Sequence, residues 1–334
     1  MKKTFIIAEA GVNHNGDINL AYKLIDKACE AGVDAVKFQT WKTEKLLTKL
    51  VEKAEYQKQT TDSNESQFDM IKKLELPFED FRKLKNYCDL KNIEFMSSCA
   101  DNEALDFLIS IGINKIKTSS ADLTNYPFLK HIASYNKELI ISTGMATMEE
   151  IKASVKVLLA NGQAKNNINI LHCNSEYPTP FSDVNLRAML SIKEELNVDV
   201  GYSDHTEGIE VPIAAVSIGA KIIEKHFTLD KSMDGPDHKA SLNPIELNAM
   251  VFAIRNIEKA LGAKEKNVSP SEMKNINLVR KSIVASNKIK EGECFTEKNL
   301  TVKRPGIGIS PMQWDNVIGS IAKKDFEIDD LISL

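Results

Sequence analysis

A chain of 334 residues with 43% hydrophobic and 27% charged residues has the make-up of a folded globular protein, one large domain or a large one with a small companion. A formal net charge of −4 argues against nucleic acid as the main partner, and no apolar run approaches the length of a membrane span, so neither partner is expected. The five cysteines (Cys29, Cys88, Cys99, Cys173, Cys294) are odd in number, scattered and without a CxxC pair, which fits reduced thiols in a cytoplasmic protein.

The opening MKKTFIIAEAG has a brief likeness to a signal peptide. Glu9 interrupts the apolar run and Asn13, His14 and Asn15 follow, so the run is too short for export. It reads instead as the first of eight short runs rich in Val, Ile and Phe. They are TFIIAEAG (4–11), DAVKFQTW (34–41), IEFMSSCA (93–100), INKIKTSS (113–120), ELIISTGM (138–145), INILHCNS (168–175), VDVGYSDH (198–205) and AKIIEKHF (220–227). Amphipathic stretches separate them. AYKLIDKACEAG and EALDFLISIG are clear examples, with apolar residues recurring at three and four. After the eighth run, NPIELNAMVFAIRNIEKALG predicts a long helix, with Pro244 in its first turn and Gly262 at its stop.

Eight strand–helix alternations predict an α/β fold of the (β/α)8 TIM-barrel type over residues 1–262. A doubly wound open sheet is the alternative, and the glycine-rich phosphate loop that often marks it is absent after the first run. The segment 42–92 is too long for one helix. It predicts an extended loop with helices in ESQFDMIKKLEL and PFEDFRKLKNYCDLKN, placed to cover a site. Residues 263–280 are polar and read as a linker. Residues 281–334, with short β-like runs and many turns, read as a small β-rich domain, marginal alone and expected to lean on the barrel of its own chain or of a partner.

Barrel enzymes keep their chemistry at the C-terminal ends of the strands, and residues i and i+2 of a strand share a face. Five runs end in polar pairs at that spacing: Lys37/Gln39, Lys117/Ser119, His172/Asn174, Ser203/His205 and Glu224/His226, with Glu9 on the first run. A charge buried without a partner costs several kcal/mol or more, so these residues are expected around a wet lumen mouth. Lys225, on the other face, is expected in a salt bridge beneath a helix. A single lysine or histidine at a strand end is ordinarily structural; the coincidence of pairs points to a site. His205 and His226, on adjacent runs, suit an open divalent-metal site of the Mg²⁺ or Mn²⁺ kind more than a closed zinc site. Lys37, Lys117, Ser98, Ser120 and Ser142 suit a phosphate or carboxylate. A Schiff-base role for Lys37 or Lys117 is the rival. Asp237 and His238, after the Gly235-Pro236 turn, are expected over the mouth. Cys99 and Cys173 read as packing residues.

The segments AEAGVNHNGD, AVKFQTWK, ISTGMAT, HCNSEYPTPFSDVNL, GYSDHT, EKHFTLDKSMDGPDHKAS and VKRPGIGISP together resemble the bacterial sialic acid (nonulosonate) synthase family, nearly end to end. The family includes N-acetylneuraminate and N,N′-diacetyllegionaminate synthases, and its C-terminal module is the antifreeze-like, or SAF, domain. The resemblance implies condensation of phosphoenolpyruvate with an open-chain N-acylated mannose-type sugar, with release of phosphate. It implies that His205 and His226 hold a divalent metal, Mn²⁺ with Mg²⁺ or Co²⁺ as alternatives, and that Glu224 handles a proton. Lys37, Ser98, Lys117, Ser120 and Ser142 match the phosphoenolpyruvate-binding set. Glu9, Gln39, Asp122, Ser175, Tyr177 and Asp237 match the sugar side. Arg304 matches an arginine that reaches the neighbouring subunit's site, so a domain-swapped homodimer is implied.

Two segments depart from the family pattern. Ser97-Ser98-Cys99-Ala100-Asp101 stands where many relatives have S-T-P-F-D, and Ser119-Ser120-Ala121-Asp122 where many have P-S-G-E or G-S-G-E. The lost phenylalanine is expected to widen the mouth, and the departures to alter sugar choice or phosphoenolpyruvate affinity rather than abolish activity. The leading sugar is N-acetylmannosamine, giving N-acetylneuraminate. The alternative is 2,4-diacetamido-2,4,6-trideoxymannose, giving diacetyllegionaminate. A Schiff-base aldolase and a non-catalytic sugar-binding protein are the readings from other classes.

Overall fold

The computed structural model describes residues 3–62 and 64–334, which divide into two compact units, Met1–Gly262 and Ala263–Leu334. In the first unit eight parallel strands close into a barrel in chain order: β1 (Phe5–Gly11), β2 (Ala35–Thr40), β3 (Glu94–Cys99), β4 (Lys115–Thr118), β5 (Glu138–Ser142), β6 (Ile168–Cys173), β7 (Asp199–Asp204) and β8 (Ile222–His226). β1 closes the ring against β8, with Glu9 opposite His226 and also opposite Lys37 of β2. Each strand lies within one of the eight runs of the sequence.

Two apolar layers follow from the strand period of two. Outward residues such as Ile6, Ala8, Val36, Phe38 and Phe95 pack with the helices in one large core. Inward residues Ile7, Ala35, Met96, Ile140, Leu171 and Ile222 form a separate cluster that plugs the lower lumen. Gly201 belongs to this inner face, because a Cβ there would lie 2.3 Å from Ile222 O and 2.7 Å from Leu171 Cδ2. The helices have clear sequence causes. Ile18–Ala31 starts at Asp17, whose side chain accepts from Asn19 N–H, and ends at Gly32 in the left-handed conformation; it buries Ala21, Leu24, Ile25 and Ala28. Pro244–Ala260 carries its proline in the first turn and a reciprocal Asn243–Glu246 cap.

The excursion after β2 holds helices Thr43–Leu46, Glu55–Thr60 and Gln67–Leu74, followed by the barrel helix Phe78–Lys91. Buried Lys53 fastens it, donating to Thr61 Oγ1 and Asp62 O at 3.0 and 2.7 Å.

In the second unit β9 (Ser282–Ala285) pairs antiparallel with β10 (Leu300–Lys303). Ile283, Ala285, Ile289, Phe295, Leu300, Val317, Phe326 and Ile332 form its own core. The stretch expected as a linker, 263–280, groups with this unit and carries two helical turns, Pro270–Met273 and Ile276–Val279. Polar composition hid them because neither turn buries a residue. Among the described residues no cysteine is in a disulfide, and no helix is long and apolar enough to cross a membrane.

Candidate active site

One inward position above the apolar plug, the barrel strands turn polar. Glu9, Lys37, Ser98, Lys117, Ser142, Ser203 and Glu224 line a cavity of about 330 Å³ at the C-terminal ends of the strands. Four of them form a buried alternation of charge. Lys37 Nζ lies 2.6 Å from Glu9 Oε2 and 3.8 Å from Glu224 Oε2, and Lys117 Nζ lies 3.6 Å from Glu224 Oε1. Gln39 Nε2 donates to Glu9 Oε1 at 3.0 Å, and Ser203 Oγ donates to Glu224 Oε1 at 3.1 Å.

The charges decide one another's state. Burial works against the Glu224 carboxylate, but Lys117, Lys37 and the Ser203 hydroxyl outweigh it and hold its pKa below the ordinary value. Burial also opposes the charge on Lys37, and Glu224 and Glu9 overcome it, so this ammonium stays protonated. Lys117 is different: burial prevails and lowers its pKa, against the pull of Glu224. Its Nζ donates to Ser142 Oγ at 2.7 Å and Thr118 O at 2.8 Å. Glu224 Oε2 is buried and has no hydrogen-bond partner among the described residues, which leaves an ionised acceptor free to take a proton.

Above this floor stand two imidazoles, His205 after β7 and His226 at the end of β8, ring centroids 5.4 Å apart. Burial pushes His205 down to about 4 and His226 well below its ordinary value. Both are therefore neutral near pH 7, each with a lone pair. His205 Nδ1 contacts Asn174 O at 2.5 Å, which assigns the proton to Nδ1 and frees Nε2. His226 Nδ1 is buried without a hydrogen-bond partner, 3.8 Å from Asp237 Oδ2. Two neutral imidazoles with an orphaned nitrogen fit a divalent ion that leaves positions open to substrate. Among the described residues no cluster of three or more His, Cys, Asp or Glu side chains of metal-binding geometry is present.

Two regions of the chain match family models: residues 24–266 match the NeuB family and residues 280–334 the SAF domain. The chain belongs to the NeuB family. It is a condensing enzyme of the sialic acid synthase type. It is 52% identical to N,N′-diacetyllegionaminic acid synthase of Campylobacter jejuni over 99% of both chains. It is 46% identical to the Legionella pneumophila enzyme of the same name, over 95% of this chain and 89% of that one. Human N-acetylneuraminate-9-phosphate synthase is 36% identical over 98% and 91% of the two chains. Among solved structures, the N-acetylneuraminic acid synthetase of Leptospira borgpetersenii in complex with citrate superposes with a TM-score of 0.72 at 35% identity, covering 82% of this chain and 90% of that one.

In this NeuB-family chain the site residues read from the sequence divide into those on the cavity and those off it. Glu9, Lys37, Gln39, Ser98, Lys117, Ser120, Ser142, Ser175, Tyr177, His205, Glu224, His226 and Asp237 line the cavity. Gly144 keeps the serine end open, since a Cβ there would lie 2.2 Å from Ser175 Oγ and 2.9 Å from Ser120 Oγ. Asp122 lies off the lining, accepting from Ser119 Oγ at 2.7 Å and Asn125 Nδ2 at 3.2 Å; it braces Ser119, which does line the cavity. Arg304 is exposed at the end of β10 in the second unit.

The His172/Asn174 pair is corrected. Parity on β6 follows Leu171 of the lumen plug, so Cys173 and Ser175 face inward, while His172 Nε2 contacts Val184 O at 2.9 Å and its ring packs on Tyr202. His238 is likewise not over the mouth. It is fully buried, its Nδ1 on Thr228 Oγ1 and its Nε2 on Asn15 Oδ1, where it anchors the loop that carries Asp237. Cys173 lines the cavity 3.2 Å from Ser120 Oγ, with a thiol that burial keeps protonated. Lys225 forms the expected buried pair, 2.5 Å from Asp204 Oδ2.

Tyr56, Gln57, Trp41 and Pro236 also line the cavity and were missed from sequence. Tyr56 and Gln57 sit in a short helix of the excursion, where no strand period marks an inward face.

Proposed function

We propose that the chain is an N,N′-diacetyllegionaminate synthase, condensing phosphoenolpyruvate with open-chain 2,4-diacetamido-2,4,6-trideoxymannose. Identity of 52% across 99% of both chains to a C. jejuni enzyme of that name carries the choice of sugar. This reading replaces N-acetylmannosamine as the leading substrate, since relatives named for N-acetylneuraminate-9-phosphate synthesis stand at 36% and 35%.

The cavity's own residues supply a role for each step. Lys37, Lys117 and the hydroxyls of Ser98, Ser120 and Ser142 receive the phosphate and carboxylate of phosphoenolpyruvate. His205 and His226 would hold a divalent ion, Mn²⁺ in this reading, which would supply Lewis acidity at the sugar's carbonyl. C3 of phosphoenolpyruvate attacks that carbon, forming the C–C bond. Water adds at C2, and the ionised Glu224, with its unpartnered Oε2, takes the water's proton. The tetrahedral intermediate then breaks its C–O bond and releases phosphate. Glu9, Gln39, Ser175, Tyr177 and Asp237 position the sugar, and Arg304 serves the site of a second copy in a homodimer. The lowered pKa of Lys117 is the feature a Schiff-base lysine needs, but its ammonium is committed to Ser142 and Thr118.

Phosphate release from phosphoenolpyruvate is measured with each sugar, before and after chelation and metal add-back. The expected result is release that requires sugar, stops on chelation, and runs at a kcat/KM at least about tenfold higher with the diacetamido sugar. A higher value with N-acetylmannosamine overturns the sugar assignment. Activity that survives chelation overturns the metal role.

A further inference from the structure

The excursion after β2 does more than cover the barrel. β2 and β6 lie on opposite sides of the ring of eight, yet Tyr56 from the β2 excursion stacks on Tyr177 from the β6 loop, centroids 5.2 Å apart and planes 29° from parallel. Tyr177 in turn lies 4.1 Å from the His205 ring and meets His226 edge-on at 5.6 Å. The strand floor, the imidazole pair, Tyr177 and Tyr56 therefore form a column from the base of the cavity outward. Thr60, in the same short helix as Tyr56, has its hydroxyl 3.0 Å from Tyr56 O and 3.4 Å from Pro236 O of the β8 loop, so the span meets a third side of the mouth.

Tyr56 is also oriented. Gln57 Nε2 donates to its hydroxyl oxygen at 3.4 Å, and Gln57 Oε1 is fixed by the Ala54 N–H at 3.0 Å. With the oxygen accepting from Gln57, the Tyr56 O–H is left to donate elsewhere. Burial, helped by the charge of Asp237, pushes its pKa up, so it remains a donor at any working pH. The reacting carbonyl of the sugar belongs beside the imidazoles. The rest of an open chain then runs outward, along Tyr177 toward Tyr56.

We propose that Tyr56 is a specificity residue: its hydroxyl donates to the carbonyl of an acylamino group on the half of the sugar remote from the reacting carbon. This rests on the reading of the site as one that condenses an open-chain N-acylated sugar. A donor fixed at the end of the column discriminates by reach and acceptor strength: an acylamino carbonyl projects further from the sugar carbon, and accepts more strongly, than a hydroxyl oxygen at the same position.

The test uses the full chain with Mn²⁺ and compares Tyr56→Phe and Tyr56→Ala with the parent. The parameters are kcat/KM for the diacetamido sugar and for N-acetylmannosamine, and KM for phosphoenolpyruvate. Tyr56→Phe keeps the ring and the stack, and thermal melting verifies the fold. It is expected to lower kcat/KM for the diacetamido sugar about tenfold and to leave that for N-acetylmannosamine within about twofold. Tyr56→Ala is expected to lower the first about 100-fold, with KM for phosphoenolpyruvate within about twofold in both variants. If the sugar ratio moves less than about threefold in both variants, or both sugars fall together, the proposal is overturned. The parent's own preference tests the choice of sugar separately, since the shift of the ratio is read whichever sugar the parent favours.

Discussion

The lower and upper halves of the barrel lumen are made by the same strands on the same face, and they have opposite chemistry. Ile7, Ala35, Ile140 and Ile222 fill the lower half; the next inward residues, Glu9, Lys37, Ser142 and Glu224, line the cavity above. The step is two residues, under 7 Å along a strand. The apolar plug closes the cavity from below, so the lysines and carboxylates are neutralised by one another rather than by solvent. In such surroundings a charge acts far more strongly than in water. Two lysine side chains are thereby held in place on the cavity floor.

The comparison predicts that changes above the boundary destroy activity and changes below it reduce stability. The largest effect is expected at the imidazoles. His226→Ala or His205→Ala lowers sugar-dependent phosphate release by about a thousandfold or more while the fold persists, and the rise in melting temperature on adding Mn²⁺ disappears. A folded variant with parental turnover would break the assignment. Below the boundary, Ile140→Ala leaves a cavity in the plug and costs about 2–5 kcal/mol of stability. Urea unfolding measures it, and KM for phosphoenolpyruvate is expected to stay close to the parental value.

The smallest effect sharpens the comparison by separating burial from function. His14, outside the cavity, is fully buried and pushed down to about 4 by burial, with Nδ1 accepting from Gly16 N–H at 3.0 Å. Its folded pKa lies below the unfolded value near 6.5, so the unfolded chain binds the extra proton first. Stability is therefore retained above about pH 6.5 and lost as pH falls towards 4. His14→Gln is expected to flatten that fall in the urea midpoint between pH 7 and pH 5. An unchanged slope would mean that His14 is not held neutral. His14 and His205 share the direction and the cause of their shift, so a depressed imidazole marks burial and not, by itself, a metal site.

Much of this was legible in the sequence because strands repeat every two residues. Once β7 and β8 were read as strands, Ser203/His205 and Glu224/His226 had to face one way and Lys225 the other. The same rule misplaced His172 and Asn174. The run INILHCNS carries Ile168 and Ile170 on one face and Asn169 and Leu171 on the other, so neither face stands out as the lumen face, and its parity, set by neighbouring strands, could not be counted from within. His238 failed for another reason: a turn residue has no face until the loop is folded, and Thr228 and Asn15 then drew its ring inward.

The sequence by itself determined the barrel, its cap positions and the chemical inventory of its mouth, because local periodicity and side-chain chemistry are written residue by residue. The tertiary structure alone decided which acid faces which base, that Asp122 braces rather than lines the cavity, and that Tyr56 crosses from one side of the ring to the other. Those relations depend on closing eight strands into a circle and folding a long excursion over it, and distances between residues far apart in the chain exist only once that closure is made.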